Sequence, residues 1–244
     1  MSQHIVAFVD LLGFGEALEA SNQEKLGEIL KLLLYFRAFV RTYGEIPSSR
    51  PEGFYPEVST FSDHIVFSLP VNKHTWVLRI MAMNFMVTTF ARLALKARFL
   101  IRGAISQGSL YHDNGVVFGP ALVRAANLES KVAVYPRVIV DPDVLVRGRN
   151  GFPSTHYFRD RDGLWCVDYL FTMMLEDGSL TQGLQTPSDY KEHLNNWYRK
   201  LVNVADSEIV RLSKINSGYG REKWEWFRSD LLRTRKQLPE IPMD

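Results

Sequence analysis

Ile5-Val6-Ala7-Phe8-Val9-Asp10-Leu11-Leu12-Gly13-Phe14 is the stretch on which the reading of this chain turns. Five consecutive apolar residues read as a buried strand. They run into an aspartate and then a glycine-containing turn, so the strand is expected to end at Asp10. A carboxylate there is costly unless a cation or a set of donors meets it. Thr60-Phe61-Ser62-Asp63-His64-Ile65-Val66-Phe67-Ser68 repeats the theme, with Asp63 in a Ser-Asp turn between short strands at 58–61 and 65–69. Two aspartates at strand ends are expected to converge on one divalent cation, or on two.

The rest of the chain supplies a frame for that pair. Leu26, Ile29, Leu30, Leu33, Phe36 and Val40 recur at helical spacing and predict a helix over 22–42. Residues 44–56 carry three prolines and two glycines and read as a loop. A second helix, 74–97, is apolar on most sides, so it and its methionines at 81, 83 and 86 are expected in the core. A strand follows at 99–110, then a turn, a short strand, and a helix opened by Pro120 that runs to about Val132. Residues 137–141 form another strand. This β-α-β-β-α-β-α-β order predicts an α+β fold, a ferredoxin-like split βαβ sandwich. We place the core at 1–150 and a strand and helix extension at 151–244. In the extension, 164–171 reads as a strand, Asp177-Gly178 as a turn, and 187–215 and 221–236 as helices.

The totals exclude several classes. A net charge of +2 gives no support to general nucleic-acid binding. One cysteine, Cys166, excludes an intramolecular disulfide and a cysteine-rich zinc site. The apolar stretch 76–95 contains Arg79, Asn84 and Arg92, which argues against a membrane span. No signal peptide is visible at the N-terminus, so a cytoplasmic protein is expected.

With these elements in order, the chain resembles the class III nucleotide cyclases over about residues 4–141. Asp10-Leu11-Leu12-Gly13-Phe14 matches their Asp-x-x-Gly-Phe, and Ser62-Asp63 stands where their second metal-binding aspartate lies. Arg102-Gly103-Ala104-Ile105-Ser106-Gln107-Gly108 echoes Arg-x-Gly-Ile-x-x-Gly. Gly119, Ala125, Leu128 and Glu129 fit the helix motif that follows. The departures are specific. Purine cyclases carry a base-reading Lys where this chain has Ser59, and an Asp or Thr where it has Val116. Their transition-state Asn and Arg correspond to Val123 and Asn127. In these departures, and in Arg102-Gly103, Phe118-Gly119-Pro120-Ala121 and Tyr135-Pro136-Arg137, the chain is similar to the pyrimidine cyclases of bacterial Pycsar antiphage systems.

That resemblance implies cyclisation of UTP, ahead of CTP, with two Mg or Mn ions. It implies a homodimer with composite active sites, and a separate effector that responds to the cyclic product. No nucleic-acid or membrane partner is implied. Asp10 and Asp63 are the expected metal ligands, joined by the carbonyl of Leu11. Amides of Leu12, Gly13, Phe14 and Gly15 can cradle the triphosphate where the chain enters its first helix. Arg124, with Asn127 one turn on, is a candidate phosphate clamp or else a solvated arginine. Arg102 borders the base pocket or pairs with an acid. Tyr55 is a candidate to stack on the base. Of Ser59 and Thr60, only one can face it, because strand side chains alternate. By the same alternation His64 is expected to point away from Asp63. The alternatives are a degenerate cyclase fold that binds a nucleotide without turnover, and a purine cyclase with a rebuilt pocket.

Overall fold

The computed structural model describes residues 1–19, 23–45, 56–147, 156–180, 187–215 and 217–237. The chain divides into two compact units, Met1–Asp168 and Tyr169–Asp244.

The first unit is built on one mixed sheet. In chain order it contains β1 (Ser2–Leu12), α1 (Phe14–Glu19), α2 (Gln23–Glu45), β2 (Glu57–Phe61), β3 (His64–Pro70), α3 (Trp76–Lys96), β4 (Leu100–Asp113), β5 (Val116–Phe118), α4 (Pro120–Lys131), β6 (Val138–Val140), α5 (Pro142–Arg147), β7 (Tyr157–Arg159) and β8 (Trp165–Val167). The strand order is β2-β3-β1-β4-β6-β8-β7, with β5 paired to the end of β4. β3 lies between β1 and β2 and is antiparallel to both, so β1-α-β2 is a split βαβ unit. β4 closes the other side of β1, also antiparallel. The fold is α+β, as the element order implies. β6 is parallel to β4, which makes β4-α4-β6 a crossover unit.

Alternation along β1 sorts its side chains onto two faces. Ile5, Ala7, Val9 and Leu11 are on one, and all are essentially fully buried. Phe67, opposite Ala7, shares it and meets Phe36 of α2 at a ring separation of 5.3 Å; Phe36 also meets Phe90 of α3 at 4.8 Å. Val6, Phe8 and Asp10 are on the other face. There α4 covers the sheet, and Val6, Phe8, Val66 and Leu110 pack against Ala121 and Ala125. Two contacts fix the start of α4. Ser106 Oγ donates to the carbonyl of Ala121 at 2.6 Å. Gly119, with φ of 145°, lets the chain pass so close to β4 that a Cβ would fall 2.7 Å from the Ser109 carbonyl. Among the described residues α3 alone has the length and hydropathy to cross a membrane, and 61% of that window is buried in the protein. It is a core helix with one open side, where Val77, Leu78 and Met81 are exposed. Met81 therefore departs from the core position expected for it, while Met83 and Met86 occupy theirs.

The second unit is helical: α6 (Tyr169–Leu180), α7 (Pro187–Lys214) and α8 (Gly218–Lys236). Leu212 of α7 and Trp224, Phe227 and Leu231 of α8 are buried. Arg228 reaches Asp206 at 2.5 Å. The basic aromatic segment 223–228 is thus largely packed, with Lys223 itself buried. The strand expected at 164–171 is only Trp165–Val167, and α6 begins two residues later. Tyr169, Leu170, Thr172, Met173 and Met174 are all buried, and a run apolar on every side carries no period to separate strand from helix. Asp177-Gly178, expected as a turn, lies within α6.

Candidate metal and nucleotide site

β1 does not stop at Asp10; it continues to Leu12, because β4 pairs with it as far as Leu100. Asp10 is therefore flanked by strands on both sides, opposite His64 on β3 and Arg102 on β4. All three share the face covered by α4. Asp63 reaches the same place from the two-residue turn between β2 and β3. Ser62 takes a left-handed conformation there, with φ of 56°. The amide of Leu11 donates to the carbonyl of Asp63 at 3.0 Å, which fastens the turn to β1.

One ligand atom from each of Asp10, Asp63 and His64 lies within 4.8 Å of the others. The expectation that His64 turns away from Asp63 is corrected: its Nδ1 is 2.9 Å from Asp63 Oδ1. Alternation did not apply because Asp63 is a turn residue, not the preceding strand residue. The imidazole packs beside two rings, 4.8 Å from Phe8 and 5.9 Å from Phe61 by centroids, nearly parallel to the second.

Arg102 is an internal counter-charge. Its Nη2 donates to Asp10 Oδ2 at 3.0 Å and lies 2.6 Å from Oε1 of Glu129, a buried residue of α4. The other Asp10 oxygen, Oδ1, is buried and accepts no hydrogen bond from the described residues. Burial pushes the Asp10 carboxyl up to about 6, and Asp63 and Glu129 add to this; Arg102 and His64 oppose it. A buried oxygen without a donor, beside a second carboxylate and an imidazole, is a donor set that fits a divalent cation.

The remaining residues are less convergent. Leu12 is half-buried at the end of β1, and Gly13, with φ of 87°, turns the chain into α1. Gly13 and Gly15 are exposed and Phe14 is buried. Ser59 is not free to read a base: it is buried, and its hydroxyl lies 3.0 Å from Nε2 of His112. Ser68 meets the other ring nitrogen at 2.9 Å. Burial holds His112 down at about 4, so the ring is neutral. Thr60 points to the opposite face of the sheet from Ser59 and Asp10. Tyr55 lies outside the described residues.

Arg124 and Asn127 are exposed on α4. Arg124 is a solvent-exposed arginine that is paired with acids, and so not an open clamp. Its Nε and Nη2 grip the fully buried Asp141, the latter at 2.7 Å, and Nη2 is 3.2 Å from Asp143. Asp141 and Glu129 went unrecognised in the sequence as partners of arginines. The signal was available only as parity, since Asp141 follows Ile139 on the α4 face of the sheet.

No protein-family model matches the chain. No curated protein matches it either. Solved structures do. A class III adenylyl cyclase-like ATP-binding protein from Pseudomonas aeruginosa is 10% identical with a TM-score of 0.39, over 60% of this chain and 34% of that one. An adenylate/guanylate cyclase/hydrolase from Silicibacter pomeroyi is 14% identical with a TM-score of 0.42, over 68% of this chain and 94% of that one. The matched region thus spans about a third of the length of the Pseudomonas protein.

Proposed function

We propose that the chain is a cytoplasmic, metal-dependent nucleotide cyclase that acts on a pyrimidine triphosphate, UTP ahead of CTP, and that its cyclic product activates a separate antiphage effector. The observation that carries the metal-dependent part is the meeting of Asp10, Asp63 and His64, with one buried Asp10 oxygen left without a donor. The choice of a pyrimidine rests on the resemblance, since Ser59 and Val116 stand where the purine cyclases carry their base-reading groups.

In the proposed reaction the ribose 3′ oxygen bonds to the α-phosphorus and the α–β bridging P–O bond breaks. Pyrophosphate leaves, and the hydroxyl proton passes to water. Bound divalent ions, two in this reading, lower the hydroxyl pKa and neutralise charge on the triphosphate. Asp10 and Asp63 supply the anionic oxygens for them, with the Leu11 carbonyl beside. The turn at Gly13 presents backbone amides to the phosphates. Arg102 borders the base and the metal carboxylates together.

The homodimer reading has its own support. Tyr111, Val116, Phe118 and Val123 are exposed around the β4–β5 hairpin and the start of α4, with Tyr111 and Phe118 stacked at 5.1 Å. An exposed apolar patch of this kind suits a second copy of the chain. Each copy then offers its α4 to the other's aspartates.

A second reading, nucleotide binding without turnover, is favoured by one observation: Arg124 is committed to Asp141 and Asp143, and Val123 stands at the other clamp position. Incubation of the purified protein with each of the four NTPs and Mn2+, with pyrophosphate as readout, separates the two. Pyrophosphate from UTP or CTP alone supports the proposal. Release from ATP or GTP alone, or from none, removes it.

A further inference from the structure

We infer that His64 is the third side-chain donor to the cation held by Asp10 and Asp63, and that it makes the site select a transition cation such as Mn2+ over Mg2+. This rests on the metal site proposed above, and concerns which ion that site takes.

The spacing supports coordination. Two donor atoms each about 2.1 Å from one ion stand about 3.0 Å apart at right angles and about 4.2 Å apart in line. His64 Nδ1 and Asp63 Oδ1, at 2.9 Å, match the shorter figure. The whole set lies within 4.8 Å, about 0.6 Å beyond the in-line figure, so ligation draws the donors inward. The imidazole is also held in place. Phe8 and Phe61, themselves 6.2 Å apart, form a three-ring cluster with it, and its backbone is paired to Asp10 in the β1–β3 ladder. Little side-chain freedom is left for ligation to remove.

The chemistry sets the preference. Mg2+ binds hard oxygen donors and gives up water reluctantly. Imidazole nitrogen suits borderline transition ions. Replacing one oxygen by nitrogen therefore penalises Mg2+ more than Mn2+. Arg102 strengthens the bias: it occupies Asp10 Oδ2 and leaves Oδ1 as that residue's available oxygen. A site short of free carboxylate oxygen leans more heavily on the nitrogen.

The test is Mn2+ binding to the full-length protein, read by electron spin echo envelope modulation. The wild type shows a directly bound 14N, and His64→Asn abolishes it. Isothermal titration then gives the Mn2+ to Mg2+ affinity ratio, expected to fall about tenfold in His64→Asn, a modest figure because Mn2+ stands lowest in the transition series. His64→Gln repeats the measurement should the Asn variant not fold. No nitrogen modulation in the wild type, or a ratio unchanged in the variants, overturns the inference. The outcome is independent of turnover. Nitrogen coordination without pyrophosphate release leaves the inference standing and sinks the cyclase reading; pyrophosphate release without nitrogen coordination does the reverse.

Discussion

Asp10→Asn should stabilise the metal-free protein at pH 7.5 while removing its divalent-cation binding. The carboxyl titrates at about 6 in the folded protein, against the ordinary 3.8. At 1.36 kcal/mol per tenfold, ionised Asp10 costs the fold about 3 kcal/mol above pH 6. The sign follows from the raised value. The side chain favours folding most below pH 3.8, and that contribution is lost as pH rises through about 6. A carboxamide has no charge to bury. It keeps an oxygen for Arg102 and leaves the Arg102–Glu129 pair in place. For a chain of this size the gain corresponds to a rise in melting temperature of about 6–12 °C. Differential scanning calorimetry in EDTA, from pH 4 to 8, reads it directly. The gap between variant and wild type should open through about pH 6 and close near pH 4. Adding Mn2+ at about 100 times its Kd should return about 2.7 kcal/mol to the wild type alone. An Asn variant less stable than the wild type in EDTA at pH 7.5, or a gap that does not change with pH, would refute the reasoning.

Arg102→Gln removes a positive charge 3.0 Å from Asp10 and should tighten Mn2+ binding about tenfold by titration calorimetry; weaker binding would show that Arg102 supports the ion instead. Arg124→Ala leaves the fully buried carboxylate of Asp141 with the Asp143 amide but no cation, and should cost about 1–2 kcal/mol in urea denaturation, whatever its effect on turnover; an unchanged midpoint would contradict the pairing. His112 is held neutral, with its pKa lowered to about 4, so it withdraws stability as pH falls from about 6.5 towards 4, by about 3 kcal/mol in total. His112→Gln should flatten that part of the wild-type stability profile, measured by thermal melts in EDTA.

Period and punctuation carried most of the architecture. Runs of alternate or continuous apolar residues marked β1 to β4, helical spacing marked α2, a long stretch apolar on most sides marked α3, and Pro120 marked the start of α4, because these patterns are local. They were silent where a segment was apolar on every side, as at Tyr169 to Met174, where burial rather than period decides between strand and helix. The nearness of Asp10 to Asp63 was also legible, since each carboxylate follows or precedes an apolar run, although Asp10 lies inside β1 and not at its end. Which other groups stand around them was not. Arg102 comes to Asp10 through strand register, Glu129 through the packing of α4 on the sheet, and His64 through the left-handed turn at Ser62. The first two depend on pairings between segments far apart in the chain; the third depends on a turn conformation that residue type alone does not announce. By itself, then, the sequence determined the elements, their order and the two aspartates. Only the tertiary structure decided the charge those aspartates feel, because burial and the neighbours set by register, not residue type, govern what a carboxylate can bind.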